Sequence, residues 1–170
     1  MKKKMLTGSL LVASLITLAA CGNKANDKKS SSSEAKTEKV SKSTEEKVTL
    51  KDGNYKAESE FDKHGWKVVH TITVTDGLIT ASDFNYENKD GKYKADDDEY
   101  NKKMKAKSGT SSKEATEKLN DQLVKKQTID DVEVVSGATH TSANFKASAK
   151  ALLKAASKGQ TETILIDLPK

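Results

Sequence analysis

The chain has very little of several residue types on which common functions depend: its 170 residues include one cysteine, three histidines and only 5% aromatic residues. A single cysteine cannot form a disulfide within the chain, so packing alone must hold the fold together. The histidines, His64, His70 and His140, are scattered and have no ligand-spaced cysteine or carboxylate pair beside them, so we expect no metal site. Lysines mixed with nearly as many carboxylates form no basic stripe, which argues against nucleic-acid binding.

The one cysteine lies at the end of an export signal. Three lysines (2–4) precede an uncharged segment (5–20) that is short for a membrane span. The segment ends LAACG (18–22), which resembles the lipobox of bacterial lipoproteins, whose cysteine takes a diacylglyceryl thioether. We therefore expect a lipoprotein signal peptide (1–20), lipidation of Cys21 and a protein anchored at the outer face of the cell membrane. Removal of the signal lowers the net charge from +5 to +2.

Two further features of this N-terminal part bear on function. Residues 21–47 are almost entirely lysine, serine, glutamate, threonine and asparagine, a composition too polar to repay the entropy of ordering, and it predicts a disordered tether. Residues 14–20 resemble the peptide pheromones released from lipoprotein signals of Gram-positive bacteria, and the alternative is an ordinary hydrophobic core of a signal peptide. The remaining residues, 48–170, are predicted to form one folded domain.

Apolar residues alternate with polar ones in the first half of this domain, which predicts an antiparallel β-meander. Strands are expected at about 55–61, 66–74 and 78–86. Asp76-Gly77 is a type I′ hairpin signal between the second and third strands, and Asn88 to Gly91 forms a closing turn.

Helical spacing replaces the alternation in the second half. An acidic run, Asp96 to Glu99, precedes a short helix around Tyr100 to Ala106, and Ser111 with Glu114 forms a capping box for a second helix. The pattern then predicts a short strand at 132–135, a helix from about 145 that ends before Gly159, and a last strand at 163–168. The fold class is therefore α+β.

The connection VSGATHTSANF (135–145) is rich in hydroxyl groups, and a strand-to-helix turn of this kind exposes backbone N–H groups at the positive end of a helix. A phosphate would be favoured there, with Gly137 allowing close backbone approach, Ala138 keeping bulk away and Thr139 offering a hydroxyl. The alternative is that Thr141 or Ser142 simply caps the helix. Spacing alone leaves both interpretations open.

The motif Ser136-Gly137-Ala138-Thr139-His140-Thr141 resembles the flavin-attachment motif of the FMN-binding domain family. That family includes the C subunit of sodium-pumping NADH:quinone reductase and the flavin lipoproteins of Gram-positive extracellular electron transfer. The resemblance spans about residues 50–159. Further segments occur in the order that the family shows: Asp52-Gly53-Asn54-Tyr55, His64-Gly65-Trp66, Val74-Thr75-Asp76-Gly77-Leu78-Ile79, Asn88-Lys89-Asp90-Gly91, Glu99-Tyr100-Asn101 and Met104.

The resemblance implies specific roles. FMN would be joined through its phosphate to the Thr139 hydroxyl by a separate flavin transferase that takes FMN from FAD, with Thr141 as the second candidate acceptor. The family has aspartate three residues before the serine, where this chain has Glu133, and tight non-covalent FMN is the variant that follows. Trp66 would stack on the flavin or belong to the core, and His140 would touch the flavin or lie exposed without a role.

The implied function is electron transfer outside the cell. FMN would accept electrons from a membrane quinone pool or NADH dehydrogenase and pass them to an extracellular acceptor. No Ser-His-Asp arrangement or activated nucleophile is visible, so a carrier is favoured over a substrate-specific enzyme, and enzymatic activity stays open. The alternative function is a lipoprotein that binds FMN or another phosphate-bearing ligand without redox turnover.

Overall fold

A four-stranded sheet with the strand order β3-β2-β1-β4 forms the framework of residues 49–169, the part of the chain that this computed structural model describes. The elements in chain order are β1 (Gly53–Ser59), β2 (Trp66–Thr75), β3 (Leu78–Asn88), a 3₁₀ turn (Lys94–Asp96), α1 (Asp98–Ser108), α2 (Ser112–Lys126), α3 (Thr139–Lys158) and β4 (Ile164–Ile166). The α+β class is confirmed. The predicted signal peptide (1–20), lipidated Cys21 and tether (21–47) lie outside the described residues and stay predictions.

The meander forms as predicted. β1 pairs antiparallel with β2, and β2 pairs antiparallel with β3 from Trp66 opposite Asn88 to Thr75 opposite Leu78. The two hairpin residues, Asp76 and Gly77, have φ of 53° and 72°. Positive φ at both central residues is the signature of a type I′ turn, whose twist matches that of the flanking strands.

One face of the sheet carries the core. α2 packs on β3, while α3 packs on β1 and β2. Side chains from both layers are fully buried between them: Tyr55, Ala57, Val68, Ile72, Phe84, Leu119, Leu123, Phe145, Ala149 and Leu152. The capping box is present as predicted, because the Ser111 hydroxyl accepts from the Glu114 N–H and the Glu114 carboxylate accepts from the Ser111 N–H. The two amphipathic helices therefore cover the apolar face that the alternating strands create.

The strand predicted at 132–135 is wrong. Val132 and Val135 are buried while Glu133 and Val134 are exposed, a spacing of three that differs from the two-residue period of a strand, and the segment pairs with no strand of the described residues. Two of its N–H groups donate to side chains of α2 and α3 instead. The Glu133 N–H donates to Gln122 Oε1 at 2.8 Å, and the Val135 N–H donates to Ser142 Oγ at 3.0 Å. Because these acceptors replace a ladder, an extended segment is stable here outside the sheet.

The last helix begins earlier than the apolar spacing indicates. α3 starts at Thr139, and its N-cap is Ala138, which provides no side-chain cap. The predicted caps, Thr141 and Ser142, lie inside the first turn, so that prediction is wrong. Ser142 is buried and donates to the Ala138 carbonyl oxygen at 3.0 Å, which ties the helix start to the preceding segment. The predicted C-cap is confirmed, since Gly159 adopts a left-handed conformation with φ of 72°.

β4 is shorter than predicted, and it pairs parallel with β1, with Ala57 opposite Ile164. β4 therefore becomes the edge strand next to β1, although it comes from the far end of the chain. A parallel pair needs a long crossover connection, which here includes all three helices.

Candidate functional site

A cleft of about 700 Å³ lies against the N-terminus of α3 and is also lined by α1 and the Trp66 end of the sheet. Six of the seven residues predicted for the site line it: Trp66, Gly137, Ala138, Thr139, His140 and Thr141. Ser136 is exposed and is not on the wall. The structure therefore brings the motif and the tryptophan together, although 70 residues of chain separate them.

The start of α3 supplies unpaired donors to the cleft. The first intrahelical bond is donated by Ser142 N–H to the Ala138 carbonyl oxygen at 2.9 Å, so the N–H groups of Thr139, His140 and Thr141 precede the ladder. No side chain caps them, and the first turn has no acidic residue. This end of the helix carries the positive pole of the macrodipole, which favours an anion.

Gly137 allows α1 to approach this helix start. It has φ of +77°, and a Cβ placed on it would lie 2.1 Å from the Ser108 carbonyl oxygen. That oxygen belongs to the last turn of α1. The glycine is therefore needed both for its backbone conformation and for the contact that closes this side of the cleft.

Asp62 positions the tryptophan at the opposite wall. Its Oδ1 accepts from the N–H of His64 at 2.8 Å and from the N–H of Trp66 at 2.9 Å, which forms the turn that leads into β2. Burial acts to raise the pKa of Asp62, but the two N–H bonds and the nearby Lys94 charge together outweigh it, and the pKa is lowered. The turn therefore holds an ionised carboxylate and fixes the first residue of β2 at the cleft.

Lys94 lies among three aromatic rings of the cleft. Its Nζ is 4.4 Å from the ring centroid of Tyr86, 4.7 Å from that of Trp66 and 5.3 Å from that of Tyr100. Burial lowers the pKa of Lys94, and the nearby carboxylate of Asp62 opposes the change. Cation–π attraction of this geometry holds the ammonium in place. Sequence reasoning missed Lys94, because nothing in its lysine-rich segment distinguishes it before the rings converge.

Lys103 and Lys107 also line the cleft, where Asp62 is the one acidic residue among the described lining residues. The electrostatic character of the cleft is therefore positive, which suits a ligand that carries a phosphate.

Tyr86 links the cleft wall to α3. Asn144 Nδ2 donates to the Tyr86 hydroxyl oxygen at 3.0 Å. Burial raises the pKa of Tyr86, and hydrogen bonding with Asn144 and Thr141 opposes the rise. Thr141 is therefore half-buried beside Tyr86, whereas Thr139, the first residue of α3, is exposed at the rim of the cleft.

Two buried polar atoms of the cleft wall have no hydrogen-bond partner within residues 49–169. They are Ser112 Oγ, at the first residue of α2, and Asn144 Oδ1. Each of these residues is 2% exposed. Neither was identified from the sequence, because serine and asparagine acquire this significance only when burial removes them from water.

His70 and His140 lie in different surroundings. His70 is fully buried between Ser148 and Ser82, and His140 is exposed at the helix start. Residues 49–169 contain no group of three or more metal-ligating side chains. In the same range no helix has both the length and the apolar character needed to cross a membrane.

The model of a family described as "FMN-binding domain" matches residues 63–154. A relative named "15 kDa lipoprotein" from Treponema pallidum is 34% identical over 118 residues, which are 69% of this chain and 84% of the relative. A crystal structure of a protein from Clostridium perfringens is 40% identical and superposes with a TM-score of 0.67, covering 71% of this chain and 99% of the other. The family match includes the motif and most of the residues that line the cleft.

Proposed function

Because the chain belongs to the FMN-binding domain family, we propose that it is a membrane-anchored extracytoplasmic flavoprotein that carries FMN on Thr139 and relays electrons from a membrane donor to an extracellular acceptor. The observation that carries the proposal is the position of Thr139: an exposed hydroxyl at the uncapped start of α3, on the rim of a cleft with aromatic walls. A bound flavin supplies the electron-transfer chemistry, and the protein holds it and adjusts its surroundings.

The residues present suit each part of FMN. The cleft is within the range of volumes that enclose a ligand of this size. Three free N–H groups at the positive end of α3 would receive the phosphate. The rings of Trp66, Tyr86 and Tyr100 offer apolar surface for a planar ring system, and Lys94 places a positive charge among them.

The surroundings of the two threonines favour Thr139 over Thr141 as the attachment site. Thr141 is half-buried and lies beside Tyr86. Thr139 is exposed, so a transferase could reach its hydroxyl. In the reaction that we propose, the Thr139 oxygen bonds to the FMN phosphorus of FAD, the pyrophosphate bond breaks, AMP leaves, and the hydroxyl proton is released.

Attachment to the membrane is proposed from two observations. The relative from Treponema pallidum is named a lipoprotein, and the LAACG segment of this chain offers Cys21 for lipidation. A lipid anchor on Cys21 followed by the polar tether would hold the cleft outside the membrane, within reach of a quinone pool or NADH dehydrogenase as donor. The acceptor would be extracellular.

The test is intact-mass measurement of the chain co-expressed with a flavin transferase. We expect the wild type to gain one FMN, Thr139→Ala to gain none, and the matched control Thr141→Ala to be loaded like the wild type. A wild type that stays unmodified but binds FMN reversibly would show that the flavin is held non-covalently. Flavin on Thr139→Ala would contradict the assignment of the threonine. A loaded protein whose flavin accepts no electrons from reduced quinone or a membrane NADH dehydrogenase would refute the proposed relay.

A further inference from the structure

Two buried polar atoms on the wall of the cleft have no hydrogen-bond partner in the described part of the chain, and one ligand could bond to both. Ser112 Oγ and Asn144 Oδ1 are buried on its wall and have no hydrogen-bond partner within residues 49–169. The large majority of buried side-chain polar atoms are paired, because an unpaired one costs the free energy of its lost hydration. Their occurrence in the same cleft therefore points to a bound molecule.

Both atoms are held in fixed positions by their elements. Ser112 directly follows the cap residue Ser111, whose capping box with Glu114 orients the first turn of α2. The Asn144 amide is oriented by its bond from Nδ2 to the Tyr86 hydroxyl, which leaves Oδ1 to accept from elsewhere. A ligand group that meets them must donate to Oδ1 and either donate to or accept from the serine hydroxyl.

The position of Asn144 relative to Thr139 indicates which part of a flavin would meet it. Five residues separate the two on α3, which corresponds to about 7.5 Å along the helix axis. In FMN the ribityl chain follows the phosphate directly, and its hydroxyl groups both donate and accept hydrogen bonds. A chain running from a phosphate at Thr139 into the cleft would pass this part of the wall.

Resting on the proposed attachment of FMN to Thr139, we infer that Ser112 and Asn144 are binding residues for the ribityl chain of the flavin. The flavin ring also has a hydrogen-bond donor, the imide N–H. The experiment must therefore distinguish contact with the ribityl chain from contact with the ring.

The test compares the thermal unfolding midpoints of transferase-loaded and unloaded full-length chain for three variants. Ser112→Ala and Asn144→Leu each remove one unpaired atom. Ser148→Ala is the matched control, because Ser148 is equally buried but is bonded to His70 at 2.7 Å and does not line the cleft.

We expect the rise in midpoint on loading to be smaller in Ser112→Ala and Asn144→Leu by about 3–5 °C, the shift for one hydrogen bond in a domain of this size. Unloaded Ser112→Ala should be at least as stable as the unloaded wild type, since it removes an unsatisfied group. Ser148→Ala should be less stable in both forms, with the full rise on loading.

Two results would overturn the inference. An equal rise in midpoint on loading in all variants would show that neither atom contacts the flavin. The proposed function would still hold in that case, because the wild type is loaded. A shift of the visible flavin absorbance in Ser112→Ala or Asn144→Leu would place the contact on the ring instead of the ribityl chain. Failure of the wild type to load would count against the proposed function itself.

Discussion

His70 gives a prediction of how stability depends on pH. Its ring is fully buried, 5.3 Å from the Phe84 ring and 4.9 Å from the Phe145 ring between centroids. Nδ1 is 2.7 Å from Ser148 Oγ and Nε2 is 3.0 Å from Ser82 Oγ. Burial disfavours the charged imidazolium and lowers the pKa of His70 from 6.5 to about 3.

The direction in which the free energy of unfolding changes with pH depends on whether the folded or the unfolded chain binds the proton. Above pH 6.5 the ring is neutral in both the folded and the unfolded chain, so His70 has no effect on the pH dependence. Between pH 6.5 and about 3 the unfolded chain takes up a proton that the folded chain does not, so the free energy of unfolding falls as the pH falls. At about 1.4 kcal/mol per pH unit, the loss reaches about 3 kcal/mol at pH 4.

The assay is urea unfolding of the wild type and His70→Phe at pH 7 and pH 4. Phenylalanine suits the aromatic surroundings, and both serines keep an acceptor in the variant, because the Ser148 hydroxyl can donate to the Phe145 carbonyl oxygen, 3.0 Å away, and the Ser82 hydroxyl to Asn120 Oδ1, 2.8 Å away. The wild type should lose about 3 kcal/mol more than the variant between these pH values. Carboxylates contribute equally to both proteins and cancel. Equal losses would refute the argument that the buried ring stays neutral.

Two further predictions concern the walls of the cleft. Gly137→Ala should destabilise the fold by about 1–3 kcal/mol more than Gly91→Ala in urea unfolding, since both have a positive φ but only Gly137 lies against a backbone oxygen. Equal losses would show that the approach of α1 is dispensable. Lys94→Met in the loaded protein should lower the flavin midpoint potential by on the order of 30 mV in spectroelectrochemical titration, because it removes a positive charge that opposes negative charge gained on reduction. Lys103→Met, whose lysine already pairs with Glu99 at 3.4 Å, serves as the control, and an equal change in both variants would exclude a specific role for Lys94.

Local sequence signals predicted the features that depend on neighbouring residues. The type I′ hairpin requires positive φ at two adjacent positions, which Asp76-Gly77 tolerates, and the capping box needs only Ser111 and Glu114 three residues apart. The acidic run from Asp96 to Glu99 precedes a helix as predicted. Asp97 caps α1 by accepting from the Tyr100 N–H at 2.9 Å. The motif was located at a helix start as well, although the exact cap residue was not.

Tertiary structure decided what depends on distant residues. The valines at 132, 134 and 135 predict a strand, yet side chains of α2 and α3 accept from the N–H groups of Glu133 and Val135, and the segment stays out of the sheet. The surroundings of Lys94 require rings from β2, β3 and α1 to converge. Ser112 and Asn144 become informative only because packing removes them from water. The sequence by itself therefore determined the class of fold and the motif at Thr139, while the cleft around that motif depends on long-range contacts that no local pattern encodes.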